Sequence, residues 1–156
     1  MSNETLKGKT IKESRTEQVQ ILTPASLNGY RRLFGGRLME WIDIVAAVTA
    51  RRHSCKNVTT AAIDSLEFKR AAHVNDTLVL VGEISYVGRT SMEVTVKSFV
   101  EALNGERTLI NQAYVIMVAL DDDEKPSAVP PIIAETEEEK RSLEAGRIRR
   151  EKRREG

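Results

Sequence analysis

Hydrophobic and polar positions fall into two regimes along the chain. Residues 36–52 read GRLMEWIDIVAAVTARR, with no proline and many good helix formers, and they predict a helix. Glu40 lies near its start and Arg51 and Arg52 at its end, the polarity that suits a helix dipole. Between Glu40 and Arg51 the segment is apolar nearly all round, so the helix is expected to be buried on most sides. Residues 58–68, 77–87, 91–101 and 108–120 are instead rich in β-branched residues with partial alternation, which predicts strands. In the third of these, Met92, Val94 and Val96 share one face and Glu93, Thr95 and Lys97 the other. Asn104-Gly105 predicts a hairpin between the last two strands, since both residues tolerate positive φ, and Gly88 marks the turn before residue 91. An early strand over residues 16–22 adds to the sheet. The expected architecture is α+β, a long antiparallel sheet wrapped around a central helix.

Composition narrows the setting. The chain has 156 residues, enough for one domain with a single core. No apolar run approaches the roughly 18 residues of a membrane span, and the first residues lack the apolar core of a signal peptide. Cys55 is the single cysteine, so no intramolecular disulfide is possible and a reducing, cytoplasmic location is expected. One Cys with two His, His53 and His73, makes a zinc site of those residue types an unexpected outcome, and no metal is expected.

Charge divides the chain. Residues 1–133 carry 16 basic and 16 acidic side chains, whereas the segment from Ala134 onward is acidic first and basic last, ending with Arg147, Arg149, Arg150, Lys152, Arg153 and Arg154. Pro126, Pro130 and Pro131 separate the two parts. We therefore expect a folded domain over residues 1–133 and a charged tail over 134–156, read as a solvated helix with opposite charges three and four residues apart. A basic cluster attracts anionic partners, but without an aromatic residue it gives little basis for recognising nucleic acid.

Asp43 is the residue most in need of explanation, because it sits among Ile42 and Ile44 in the apolar centre of the helix. A buried carboxylate must be paired or hydrogen-bonded. It is either structural, bonded to backbone or to a threonine, or a base or nucleophile made more basic by desolvation. Phe34-Gly35-Gly36 precedes the helix, and small residues there expose first-turn amides that can stabilise a negatively charged oxygen. Gly35 and Asp43 are eight positions apart, about 12 Å along a helix. Two antiparallel helices about a twofold axis would bring the glycine end of one to the aspartate of the other.

These features resemble the acyl-CoA hydrolases of the hotdog fold, in particular the YciA-like and brain-type enzymes, over about residues 19–131. The resemblance rests on Asn28 seven positions before Gly35, Asp43 in Met39-Glu40-Trp41-Ile42-Asp43, Val58-Thr59-Thr60, residues 64–68, and Gly88-Arg89-Thr90-Ser91-Met92. It implies thioester hydrolysis by a catalytic pair, Asn28 and Asp43, from different protomers. Gly35 would offer its backbone amide, and Gly88, Arg89, Thr90 and Ser91 would help hold CoA. It further implies a homodimer assembled into a trimer of dimers, acyl-CoA as substrate, no separate cofactor, and neither membrane nor nucleic acid as partner. Two positions depart from the pattern. Arg31 and Asn75 stand where glycine is usual; Asn75 suits a left-handed backbone, whereas Arg31 brings bulk and charge to the catalytic loop.

The residues leave two other readings open. A dehydratase of the same fold would need a catalytic histidine, and both His53 and His73 are expected at the surface. A non-catalytic acyl-CoA sensor would use the basic tail as an arm. No Gly-x-Ser-x-Gly elbow is present, and Cys55 reads as a small, at least partly buried side chain rather than a nucleophile.

Overall fold

The computed structural model describes residues 6–30, 32–33 and 35–155. In chain order the elements are β1 (Lys9–Thr10), α1 (Ile11–Ser14), β2 (Thr16–Ile21), a short 3-10 turn (Pro24–Ser26), α2 (Gly35–Ser54), β3 (Asn57–Phe68), β4 (Thr77–Val87), β5 (Ser91–Glu101), β6 (Arg107–Leu120), β7 (Ile132–Ile133) and α3 (Glu137–Glu155). Five strands form one antiparallel sheet in the order β2-β4-β5-β6-β3, so β2 and β3 are its edges. The hairpin joining β5 to β6 closes through a bond from Ala102 N–H to Glu106 O (2.8 Å), and of its two signal residues only Gly105 takes a positive φ. Asn75 adopts a φ of 70°, the conformation its residue type tolerates.

The helix α2 lies against one face of this sheet. Leu38, Ile42, Val45, Ala46 and Ala50 meet Leu78, Leu80, Ile84, Val94, Val115 and Met117 in a fully buried core. The expectation that α2 is buried on most sides needs correction. Five strands cover only one side of it, and Met39 and Ile44 remain 41% and 47% exposed, with Asp43 only half-buried between them and the core. That open flank borders the edge strand β3, whose residues 59–62 are exposed. An apolar flank beside an unpaired edge is the surface a second chain would cover.

The segment after Ala134 is a helix, but it is not merely solvated. Thr136 caps α3, accepting from Glu139 N–H (3.0 Å), while Glu139 Oε1 accepts from Glu135 N–H and Thr136 N–H in return. The expected pairs along the exposed side are present, Lys140 with Glu137 and Arg147 with Glu144 and Glu151. The other side packs on the outer face of the sheet at Gly146, where an added Cβ would lie 2.5 Å from Ser85 O and 2.8 Å from Tyr86 Cβ. Glu93, on that outer face, is 2% exposed and accepts from Ser85 Oγ, from Arg149 through Nε (3.0 Å) and Nη2 (2.6 Å), and from Arg153 (3.2 Å). The Arg149 guanidinium also stacks over the Tyr114 ring, 3.9 Å from its centroid. Desolvation opposes the Arg149 charge, but the bonds and charge of Glu93 outweigh it and hold the proton more firmly than usual.

Candidate active site

Asn28 and Gly35 come together in one open pocket of about 420 Å³, also lined by Arg32, Phe68, Lys69 and Arg70. The loop before α2 is shaped by Asn28 itself. Its Oδ1 accepts from Tyr30 N–H (2.9 Å) and Arg32 N–H (3.3 Å), and its own N–H donates to Arg32 O (2.8 Å). Two converging N–H donors fix which end of the amide is oxygen. The Nδ2 group is therefore left as a donor, suited to a carbonyl oxygen or a water rather than to a proton in need of a base. Gly35 is the first residue of α2, so its N–H has no carbonyl within the helix to bind. The Phe68 ring lies 3.6 Å from where a Gly35 Cβ would stand, so Phe68 forms the near wall.

Asp43 is not in that pocket. Its Oδ1 accepts a 2.6 Å hydrogen bond from Thr60 Oγ1 on the exposed edge strand, and among the described residues no donor binds Oδ2, which can act on a proton or a carbonyl. Thr60 is a member of the site that residue-by-residue reasoning did not single out. The available signal was the need of a carboxylate on an apolar helix for a hydroxyl partner. Thr60 and Phe68 are eight positions apart on β3, but two register shifts lie between them and their β6 partners Met117 and Asn111 are six apart, so they stand about 20 Å from each other along the edge. Within one chain the two halves stand at opposite ends of the same edge.

The turn of residues 88–91 closes β4 onto β5, with Gly88 N–H donating to Ser91 O (2.8 Å) and Thr90 O accepting from Ala119 N–H (3.0 Å). Arg89 is exposed, and among the described residues no carboxylate pairs with it. Both Phe34 and Arg31 lie outside the described residues.

Two expectations on other residues are corrected. His53 is not at the surface: it is fully buried, with Nε2 2.7 Å from Pro130 O, because the end of α2 is covered by the segment leading into β7. Burial pushes its imidazole below the ordinary range, against a smaller opposing effect of that bond. Cys55 is exposed rather than buried, since it ends α2 in a left-handed conformation (φ 58°) that turns the chain outward, and Lys9 Nζ lies 3.0 Å from its Sγ. The remaining histidine, His73, is exposed in the loop before β4, where its N–H donates to Asp76 Oδ2 (2.8 Å).

Comparison with known proteins identifies the family of the chain. The family model of the thioesterase superfamily matches residues 30–103. The uncharacterized acyl-CoA thioester hydrolase YkhA of Bacillus subtilis (strain 168) is 39% identical over 137 residues, 87% of this chain and 80% of its own. Among solved structures, an apo-hexameric acyl-CoA thioesterase shares 41% identity at a TM-score of 0.91, covering 96% of this chain and 97% of that one. An acyl-CoA hydrolase from Staphylococcus aureus, in complex with butyryl coenzyme A, coenzyme A and coenzyme A disulfide, shares 35% identity at a TM-score of 0.90, over 94% and 90%. That enzyme has also been solved as three alanine variants, of an aspartate, a threonine and an asparagine. The chain belongs to the acyl-CoA thioester hydrolases of the thioesterase superfamily and has their hotdog fold.

Proposed function

We propose that the protein hydrolyses acyl-CoA thioesters to a carboxylic acid and CoA, at sites shared between two copies of the chain. The observation that carries this reading is the separation of two incomplete half-sites along one exposed edge strand. Antiparallel pairing of β3 with its copy, about a twofold near residue 64, sets Thr60 opposite Phe68. The Asp43–Thr60 pair of one chain then faces the Asn28 and Gly35 pocket of the other, and the open flank of α2 is covered.

In that arrangement the thioester oxygen accepts from Gly35 N–H, with the α2 dipole behind it, and from Asn28 Nδ2. Thr60 fixes one oxygen of Asp43. The other takes a proton from water as it attacks the carbonyl carbon, or attacks that carbon itself to form a mixed anhydride. The carbon–sulfur bond breaks as the carbonyl re-forms, and the thiolate of CoA leaves and takes up a proton; on the second route water then splits the anhydride, which releases the acid and restores Asp43. Gly88, Arg89, Thr90 and Ser91 hold the CoA moiety, and the chemistry requires no separate cofactor.

Further assembly of three dimers fits the second edge, β2, which leaves Val19 and Ile21 58% and 65% exposed. Among the described residues no helix is long and apolar enough to cross a membrane. The exposed free thiol of Cys55 suits a cytoplasmic setting. The test is a thiol-release assay across acyl-CoA chain lengths, followed by single-turnover hydrolysis in oxygen-18 water. Absence of CoA release with every acyl length would refute the function; label in the Asp43 carboxylate would select direct attack.

A further inference from the structure

The structure assigns the C-terminal helix to the substrate site: we infer that Arg150 and Arg154 of α3 bind a phosphate group of the CoA nucleotide above the turn of residues 88–91. This deepens the proposed function and rests on its reading that the turn holds CoA.

Beyond Arg147, which pairs along the helix, four arginines of α3 divide by direction. Arg149 and Arg153, one helical turn apart, point at the sheet and are neutralised by Glu93, with Asp64 also pairing with Arg153 (3.2 Å). Arg150 and Arg154 follow each by one residue and so lie about 100° further round the helix. Among the described residues neither has a carboxylate partner, and the adjacent Glu151 is paired with Arg147. The two guanidinium groups are four positions apart and repel one another, an arrangement that an anion between them relieves.

The place they occupy is shaped. Together with Tyr86, Ser91, Met92, Ile116 and the ion-paired Glu93 and Arg153 they line a recess of about 180 Å³, in which the one carboxylate is already neutralised by Arg149 and Arg153. That volume is below the roughly 300 Å³ at which pockets for whole drug-sized ligands begin, and suits a charged end group. Arg150 lies over Gly88 so closely that an added Cβ would stand 2.5 Å from its Nη1 and 2.9 Å from Ser91 Oγ. The guanidinium, the serine hydroxyl and the turn thus meet at one point, donors that match phosphate oxygens. Exposed Arg89, on the same turn, adds a third guanidinium without a carboxylate partner.

The recess is also in line with the reacting half-site. Thr60 pairs with Met117, and Met117 with Met92, the residue after Ser91. Two strand spacings, about 10 Å, therefore separate the backbone of Thr60 from the end of the sheet where the turn stands. A substrate with its thioester at Asp43 and its phosphates over the turn would lie across that end of the sheet.

The experiment compares wild type with an Arg150→Gln/Arg154→Gln double variant, using acyl-CoA and the matching acyl-pantetheine, together with calorimetry on CoA and 3′,5′-ADP. Arg149 and Arg153 keep α3 docked in that variant, which unchanged far-UV circular dichroism and melting will show. We expect KM for acyl-CoA to rise about tenfold or more with kcat nearly unchanged, and acyl-pantetheine kinetics to stay as in wild type. CoA and 3′,5′-ADP should bind more weakly by a similar factor, and Arg150→Lys in the Arg154→Gln background should recover part of the loss. Equal KM in both proteins, or equal loss on both substrates, overturns the inference with the thioesterase reading intact. If wild type hydrolyses neither substrate, that reading fails and calorimetry decides the anion site alone. In that case, CoA and 3′,5′-ADP binding that is absent, or unchanged by the double variant, overturns it. Weakened binding of single-stranded RNA with unchanged CoA binding likewise overturns it in favour of a nucleic-acid arm.

Discussion

Replacing Glu93 by glutamine should undock α3 in part and lower the stability of the whole chain. The carboxylate is almost fully buried and accepts from Ser85, twice from Arg149 and once from Arg153. Glutamine keeps the shape but turns one acceptor into an NH2 that faces an arginine donor, and it leaves the Arg149 charge without a counter-charge. Breaking a buried pair from one side typically costs about 3–5 kcal/mol. The Arg149 and Arg153 side chains retain 25% exposure, so water recovers part of the loss and the lower bound, about 3 kcal/mol, is the expectation. For a chain of this size that corresponds to a fall in Tm of about 6–12 °C. Urea unfolding followed by far-UV circular dichroism at fixed protein concentration measures it, and trypsin, which cuts at the many basic residues of α3, reports the undocking. Adding Arg149→Met to Glu93→Met should recover much of the loss of Glu93→Met alone, because two apolar side chains replace an ion pair at little net cost. A Glu93→Gln protein within 1 kcal/mol of wild type, as resistant to trypsin, would show that the cluster does not hold the helix.

Asp43→Asn should fold normally and lose about 10²–10⁴-fold in kcat, and Thr60→Val about tenfold, both read by CoA release; near-normal turnover in Asp43→Asn would make that residue structural. Asn28→Ala and Asp43→Ala homodimers should each be nearly inactive, yet refolding them together in equal amounts should restore about a quarter of wild-type activity, since half the dimers are mixed and each has one intact site. No recovery in a sample shown to contain mixed dimers would return the pair to a single chain. For pH, the buried His53 holds its proton less tightly than its unfolded value of 6.5. The unfolded chain therefore takes up the proton first as pH falls, so this contribution to stability is complete above pH 6.5 and is lost below it, by at most about 1.4 kcal/mol per pH unit. Urea midpoints between about pH 7.5 and 5.5 should fall more for wild type than for His53→Gln, and parallel profiles would remove His53 from the account.

The sheet and the central helix were legible because their signals are local. Alternation over residues 91–101 and the proline-free apolar run of residues 36–52 need no knowledge of distant partners. Asp43 and Gly35 stood out as candidate chemistry, and Asn75 as tolerant of a left-handed backbone, on the same local terms; Asn28 entered only through the family resemblance. What failed to show was long-range pairing. Glu93 looks like an ordinary outward residue of an alternating strand, and only the docking of a helix more than 50 residues later makes it buried. Arg149 and Arg153 lie in a tail where Lys140 and Arg147 do pair along the helix, which hides the two arginines that reach across to the sheet. His53 likewise depends on Pro130, 77 positions away. Thr60 stood in the Val58-Thr59-Thr60 motif without a role, because a threonine in a β-strand is unremarkable until the helix carboxylate beside it is located.

The short parallel ladder between β1 and β7 has a consequence for how α3 behaves in solution. Lys9 pairs with Ile132 and Thr10 with Ile133, and only three residues then separate β7 from the first turn of α3. A helix on so short a leash is a tethered ligand for its own sheet, at an effective concentration on the order of a millimolar. Contacts that would give only about 100 μM affinity between separate molecules would keep it seated about nine-tenths of the time. The buried Glu93 cluster holds α3 more firmly than that minimum, so its opening is a local, rapidly reversed event rather than a departure, and amide exchange in α3 should report this docking free energy instead of the global one.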